Sequence, residues 1–449
     1  MQRYRGRRHG LLALLAAMAV VAAACTGGGG GANDKSSSAP VPAKFMFSTW
    51  GEPGIFKDGF NLMKGDFPQY KNVDFESFPV DDDVALLQRL MGDWTAQSWD
   101  TMPDVVEMSA WAIPQLADAG LLVDLTDRVE PFKDDIAPAV LAGVTRNGRI
   151  YGLPWTPNTG MVWYRQDVFE MAGVDPDEIE TWDDFIEAGK IITNFVYPDG
   201  ADRYMHSVPA TDLDLIMQLQ LMLGEQGAGL FDPETGEVTI DSDPRFKRAF
   251  ETLVRFQQEG ILLPINEWAA PWYAALNDGT LASYISANWM EQIIQLDLAE
   301  SQDKWRAMPL PAFEPGGARG AFEGCCSTLV VLNKPDVNVD LAWAFMSHSF
   351  LDDQVTADLM SKWVLTPAYL PALEQSAGGS SSAFGGQDVA ALDLSIQRDA
   401  GAFPYTPAYN EAMDLIMGEL EAAMDGDKTV DQAISDAADA IRDDIGTSK

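Results

Sequence analysis

The chain has 449 residues and a net charge of −38, with 68 acids against 30 lysines and arginines. An acidic surface of this kind repels nucleic acid and anionic ligands and favours a neutral or cationic one. The length is too great for a single core and suits two domains, and cysteine is scarce, with three in the chain.

Arg3, Arg5, Arg7 and Arg8 form a basic start, followed by a charge-free apolar run over 11–24. That run is about half of what a bilayer span requires, so 1–24 reads as a signal peptide. Ala22, Ala23 and Ala24 run directly into Cys25, which resembles a bacterial lipobox. The expectation is a lipidated Cys25 that anchors the protein to the outer face of the cytoplasmic membrane. An ordinary signal peptide with a chance cysteine is the alternative. Residues 25–43 are rich in Gly, Ser and Pro and read as a flexible tether. No later stretch is long and apolar enough to span a membrane.

The body opens with an alternating, aromatic strand over 44–50, broken by Gly51 and Pro53. A helix to about 65 and a strand over 73–80 follow. Asp81, Asp82 and Asp83 precede an apolar helical pattern, an acidic start that suits the helix dipole. Further strands are expected at 103–108, 150–155, 161–165, 236–240, 281–286, 305–312 and 327–332. Helices are expected at 113–119, from 167, after Thr181, at 208–224, at 245–259 behind Asp243 and Pro244, at 272–278, 340–350, 409–424 and 430–441. The tract 377–386 is a Gly/Ser loop. The alternation implies α/β architecture with doubly wound, mostly parallel sheets.

Several segments then carry a family resemblance in sequence order. They are Pro103, Asp104, Val105 and Val106 leading to Gly120, Leu121 and Leu122; 148–154 (GRIYGLP); 162–165 (VWYR) with Phe169 and Gly173; 181–185 (TWDDF); and 342–346 (AWAFM). Together they resemble the family 1 extracellular solute-binding proteins of sugar importers, the maltose-binding-protein-like superfamily. The resemblance implies a two-lobed periplasmic-binding-protein-like clamp, type II or cluster D-like, with hinge crossings. It places lobe 1 at 44–155 plus 305–335 and lobe 2 at 156–304 plus 336–449. Crossings fall near 151–155, near 305–311 and after Leu332, and the ligand sits between the lobes. It further implies a monomer that passes a carbohydrate to the transmembrane subunits of an ABC permease, with no nucleic-acid partner, cofactor or metal.

Sugar recognition needs flat apolar faces for C–H patches and fixed polar groups for hydroxyls. Thirteen tryptophans supply the first. Trp50, Trp111, Trp155, Trp268, Trp289 and Trp363 lie at breaks between elements, whereas Trp94, Trp163, Trp182 and Trp343 read as core. By the family pattern, Trp289 stacks on the ligand, and Asn158 and Glu52 are polar contacts. Trp111, Asp212, Glu267 and Tyr405 complete the candidates. Cys325 and Cys326 depart from the family's small residues at this turn. An adjacent pair in an oxidising compartment is expected to form a disulfide facing the ligand, with two packed thiols as the alternative.

Enzymatic readings find little support. His206 and His348 lack zinc spacing, and there is no Gly-x-Ser-x-Gly elbow or phosphate loop. A secreted glycoside hydrolase needs only two carboxylates and stays open as an alternative, as does a cell-surface structural or adhesion lipoprotein.

Overall fold

The computed structural model describes residues 39–50, 53–80, 82–207, 212–324 and 326–446, with the backbone alone for 212–214. Cys25 and the leader fall outside the described residues.

Lys44–Thr49 (β1) alternates over its first half, burying Phe45 and Phe47, and is buried on both faces at Ser48 and Thr49. Helix Gly54–Asp66 (α1) covers them: Phe45 stacks on Phe60 at 5.0 Å and Phe47 meets Phe56 at 4.5 Å. Strand Asp74–Pro79 (β2) pairs beside β1. Asp82 then caps helix Asp83–Ala96 (α2), its carboxylate accepting from the Ala85 amide at 2.7 Å. Val105–Ser109 (β3) is buried throughout, as an apolar central strand should be. After Leu153–Thr156 (β4) the chain leaves this sheet and starts a second one at Gly160–Arg165 (β5).

The second sheet gains all its strands, and part of its helical cover, in one continuous excursion. Trp182–Asn194 (α3) opens with a complete capping box between Thr181 and Asp184. Asp212–Gly224 (α4) and Pro244–Gln258 (α5) follow, the latter with Asp243 as cap and Pro244 in its first turn. Ala270–Asp278 (α6), Ser283–Ala287 (β6), Met290–Leu296 (α7) and Trp305–Pro309 (β7) complete it. The chain then returns to the first sheet as Ser327–Val331 (β8).

The first sheet has the order β2-β1-β3-β8-β4 and the second β6-β5-β7. Strand β1 is parallel to β2 and β3, but β8 is antiparallel to both its neighbours, and every pairing of the second sheet is antiparallel. In place of the expected mostly parallel sheets, the first is mixed and the second wholly antiparallel. Strands β4 and β7 lead into crossings and end at the cleft between the lobes. Strands β5 and β8 come out of crossings, so they begin at the cleft and run the other way. Residues 236–240 make one bridge, between Phe231 and Val238, instead of a strand.

The lobe boundaries also move. Residues 305–309 pair with β5, so they belong to the second sheet and not to lobe 1. Helices Val339–Phe350 (α8) and Asp353–Trp363 (α9) pack on α1, so they stay with the first sheet. Phe345 of α8 lies 5.5 Å from Phe45. A β-carbon at Gly59 would sit 2.5 Å from the Ser349 hydroxyl, so the α1–α8 approach depends on that glycine. The third crossing thus falls near 364–369, later than expected. Beyond it lie Leu370–Ser376 (α10), Val389–Asp399 (α11), which packs on β7, Tyr409–Met424 (α12) and Val430–Asp444 (α13). Among the described residues no helix is long and apolar enough to cross a membrane.

Candidate functional site

A cleft of about 1010 Å³ opens where the strands meet the crossings. The first wall comes from the N-terminal sheet: Trp50 beyond β1, Ser109 ending β3, Trp155 and Thr156 ending β4, and the acidic start of α2. The second wall comes from Trp268 before α6, Asn288 and Trp289 after β6, and residues of α4 and α12. Crossing residues Asn158, Glu323, Gly324, Leu365 and Thr366 lie between them.

The first wall is set in packed core. Asp83 is buried, and burial pushes its carboxyl above the usual range against hydrogen bonds to the Ser109 and Trp111 side chains. Behind it, Glu107 is wholly enclosed in the middle of β3. Burial raises it to about 7, although the hydrogen bond that the Thr49 hydroxyl donates to it lowers it; the nearby Asp83 charge adds to the rise. The Trp155 ring is wedged between Phe56 at 4.9 Å and Phe350 at 5.5 Å.

The second wall is aromatic. Trp268 and Trp289 lie 5.3 Å apart, tilted by 33°, and Trp268 also meets Trp272 at 5.3 Å. Trp268 is 44% exposed and has a φ of +60°, a left-handed conformation that costs a non-glycine residue roughly 1–3 kcal/mol. The preceding Glu267 anchors the turn from within, accepting hydrogen bonds from the Ser207 hydroxyl and from Tyr284 Oη at 3.2 Å. Trp289 Nε1 donates to Glu323 Oε1 at 3.0 Å, and Ser286 donates to the other oxygen at 3.1 Å.

Buried Asp393 of α11 ties the first crossing to this wall. It accepts from Thr159 Oγ1 at 2.6 Å and from Asn288 Nδ2 at 2.6 Å. Gln220 of α4 holds the second crossing, donating to the Phe322 carbonyl at 2.8 Å and accepting from the Gly324 amide at 2.7 Å. The cleft therefore offers carboxylates and hydroxyls beside Trp50 and Trp155 on one side, and the Trp268–Trp289 pair beside Asn288, Asn410 and Asp414 on the other. None of its described lining residues is Lys, Arg or His. Such a site suits an uncharged, hydroxyl-rich ligand with apolar C–H faces.

Residues 95–371 match the family profile of bacterial extracellular solute-binding proteins. The chain belongs to this family. An arabinooligosaccharide-binding protein of Halalkalibacterium halodurans is 28% identical over 267 residues, which are 59% of this chain and 58% of the relative. One from Bacillus subtilis is 29% identical over 232 residues, 51% of each chain. The alignments thus span little more than half the length of these two curated relatives. Among solved structures, an ABC-transporter-associated binding protein from B. animalis subsp. lactis in complex with beta-1,6-galactobiose superposes with a TM-score of 0.72. It shares 21% identity, with 90% of this chain and 99% of that one covered. The sugar-binding protein MalE from Xanthomonas citri gives 0.71 at 20% identity, covering 89% and 96%. This solute-binding protein shares their two-lobed fold.

Of the residues expected at the ligand, Trp289 and Asn158 line the cleft. Asn158 does so with a φ of +52°, its carbonyl accepting from the Glu323 amide at 2.8 Å. Trp111 does not: it is buried behind Asp83, against Tyr409. Glu267 is buried one residue short of the wall, and its neighbour Trp268 takes the place expected for it. Tyr405 packs with Phe403 and Tyr409 away from the cleft. Asp212 begins α4, but its side chain lies outside the described residues, while Ile216 and Met217 of the same helix reach the cleft. Glu52 and Cys325 lie outside the described residues. Cys326 is buried at the head of β8, its carbonyl accepting from the Ala110 amide at 3.1 Å; the disulfide expectation needs its neighbour and so also falls outside them. Of the six tryptophans at breaks, Trp50, Trp155, Trp268 and Trp289 line the cleft. Asp83, Glu107 and Glu323 were not anticipated. The run of three acids at 81–83 was the available signal, since a cap needs only one.

Proposed function

We propose that this solute-binding protein captures an uncharged carbohydrate between its lobes and delivers it to an ABC permease. The observation that carries the reading is the pairing of an acid- and hydroxyl-bearing wall with the Trp268–Trp289 face. The names of the curated relatives, arabinooligosaccharide- and lactose-binding proteins, point the same way. A ligand that touches both walls favours the closed arrangement by its extra contacts, with hinges at the three crossings. Closure expels water and strengthens each hydrogen bond. The reading includes no catalytic step. It also places the protein outside the cytoplasm on a lipidated Cys25, with the transmembrane subunits of the permease as its partner.

Thermal shift and calorimetry with mono-, di- and oligosaccharides test the ligand class. Saturable binding by a neutral sugar, with uronic acids and sugar phosphates binding more weakly, is the expected result. A panel in which no neutral sugar raises the melting temperature overturns the reading. For the anchor, Cys25→Ala should release the protein from membranes; retention in high salt would refute lipidation at that residue.

A further inference from the structure

A second cavity, of about 440 Å³, lies on the far side of the third crossing. Leu365 and Thr366 line both spaces, so a two-residue sill separates them. The sill follows Val364, whose φ is +53° at the end of α9. Glycine is the usual residue at such a helix end, and a β-branched residue there is an outlier of the kind that gathers at ligand clamps.

The start of α7 serves both spaces. Trp289 faces the cleft, and Glu291, two residues on, lines the second cavity with Gln295. Between them Gln292 donates to the Trp363 carbonyl at 2.6 Å, fixing the helix to the sill. Gln295 Nε2 donates to Glu291 Oε1 at 3.0 Å. Burial, with the charge of Asp393 adding, holds the Glu291 carboxyl at about 7, so near neutrality it both donates and accepts. Asp388 and Gln387 fix the rim. Asp388 accepts from the Gly378 amide at 2.6 Å and the Ala391 amide at 2.9 Å, and Gln387 accepts from the Ala307 amide at 2.8 Å. No described lining residue is basic, and the lining matches the polar, uncharged-ligand chemistry of the cleft without its indoles.

We propose that this cavity is an outer subsite for the further units of a linear oligosaccharide whose first units occupy the cleft, the chain passing over Leu365 and Thr366. The proposal rests on the carbohydrate reading above.

Calorimetry on the full-length protein with arabino-, galacto- and malto-oligosaccharides of two to five units tests it. In the series that binds, affinity should rise about tenfold beyond the disaccharide. Ser380 is exposed at the cavity edge, and Ser380→Trp should fill the space and remove that gain while the disaccharide binds as before. Gln295→Ala should reduce the gain with the melting temperature unchanged. Affinity independent of length, or a gain that survives Ser380→Trp, overturns the subsite and leaves the carbohydrate reading intact. Binding by no saccharide overturns both.

Discussion

Asp82, Asp83 and Ser109 line one side of the cleft and Trp268 and Trp289 the other, and the two sets are held by different means. The first wall is an extension of a packed core: Asp83 leans on Ser109 and Trp111, and Trp155 is wedged between two phenylalanines. The second wall is a pair of indoles resting on each other, one of them 44% exposed and carried by a left-handed turn. Fixed hydrogen-bonding groups orient a polyhydroxylated ligand, while aromatic faces tolerate different sugar stereochemistry. The stacked indole pair is peculiar to the second wall, although Trp50 and Trp155 also line the first and Asn288, Asn410 and Asp414 the second.

The sharpest way to break this contrast is to remove the aromatic wall. Trp268→Ala with Trp289→Ala should weaken binding by about 3 kcal/mol, roughly 100-fold, with a small change in the melting temperature of the free protein. Calorimetry that finds near-normal affinity would make the pair a packing feature.

The core behind the first wall should show itself in pH dependence. Glu107 titrates near 7 in the fold against an ordinary 4.5, so between those values the folded protein holds a proton the unfolded chain has lost. The contribution of Glu107 to stability should be lost as pH rises through that window, at up to about 1.4 kcal/mol per pH unit. Glu107→Gln should remove one proton's share of the pH dependence in melting curves and leave the share of Glu291, which is raised to about 7 as well; a slope parallel to that of the unaltered protein would place its origin elsewhere. His206 acts in the opposite sense. Burial lowers it to about 4 from 6.5, so its stabilising effect is lost as pH falls across that range.

A smaller effect is expected at Asp83. Asp83→Asn keeps the shape and removes one charge, and should lower affinity about tenfold without shifting the chain-length preference. An unchanged dissociation constant would make Asp83 a structural support only. Smallest of all is the change in size. Small-angle scattering should give a slightly lower radius of gyration at saturating sugar, and an unchanged radius with ligand bound would mean that the lobes do not close.

These expectations rest on features of unequal visibility in the sequence. Local rules located the elements well: Asp82, Thr181 and Asp243 cap helices where their side chains allow, and Phe45 and Phe47 alternate as a half-buried strand must. Strand direction was hidden, because β7 and β8 take theirs from the crossings they serve. The burial of Glu267 was hidden too, although Trp268 beside it stood among the tryptophans at breaks. A left-handed residue turns the chain by one position, and here no glycine or asparagine marks it. Glu107 looks like any acid in a short strand; only the assembled sheet encloses it.

The position of β8 has a consequence for how the molecule assembles. It lies between β3 and β4, so the first sheet stays in two pieces until residue 331 is available. All three strands of the second sheet fall within 160–309. The sheet begun first along the chain is therefore the last that can be completed. Loop-closure entropy adds to this order, since joining β3 to β8 spans more than two hundred residues, and long-range pairings of that kind form slowly. The second lobe holds a finished sheet while its partner still waits for a strand.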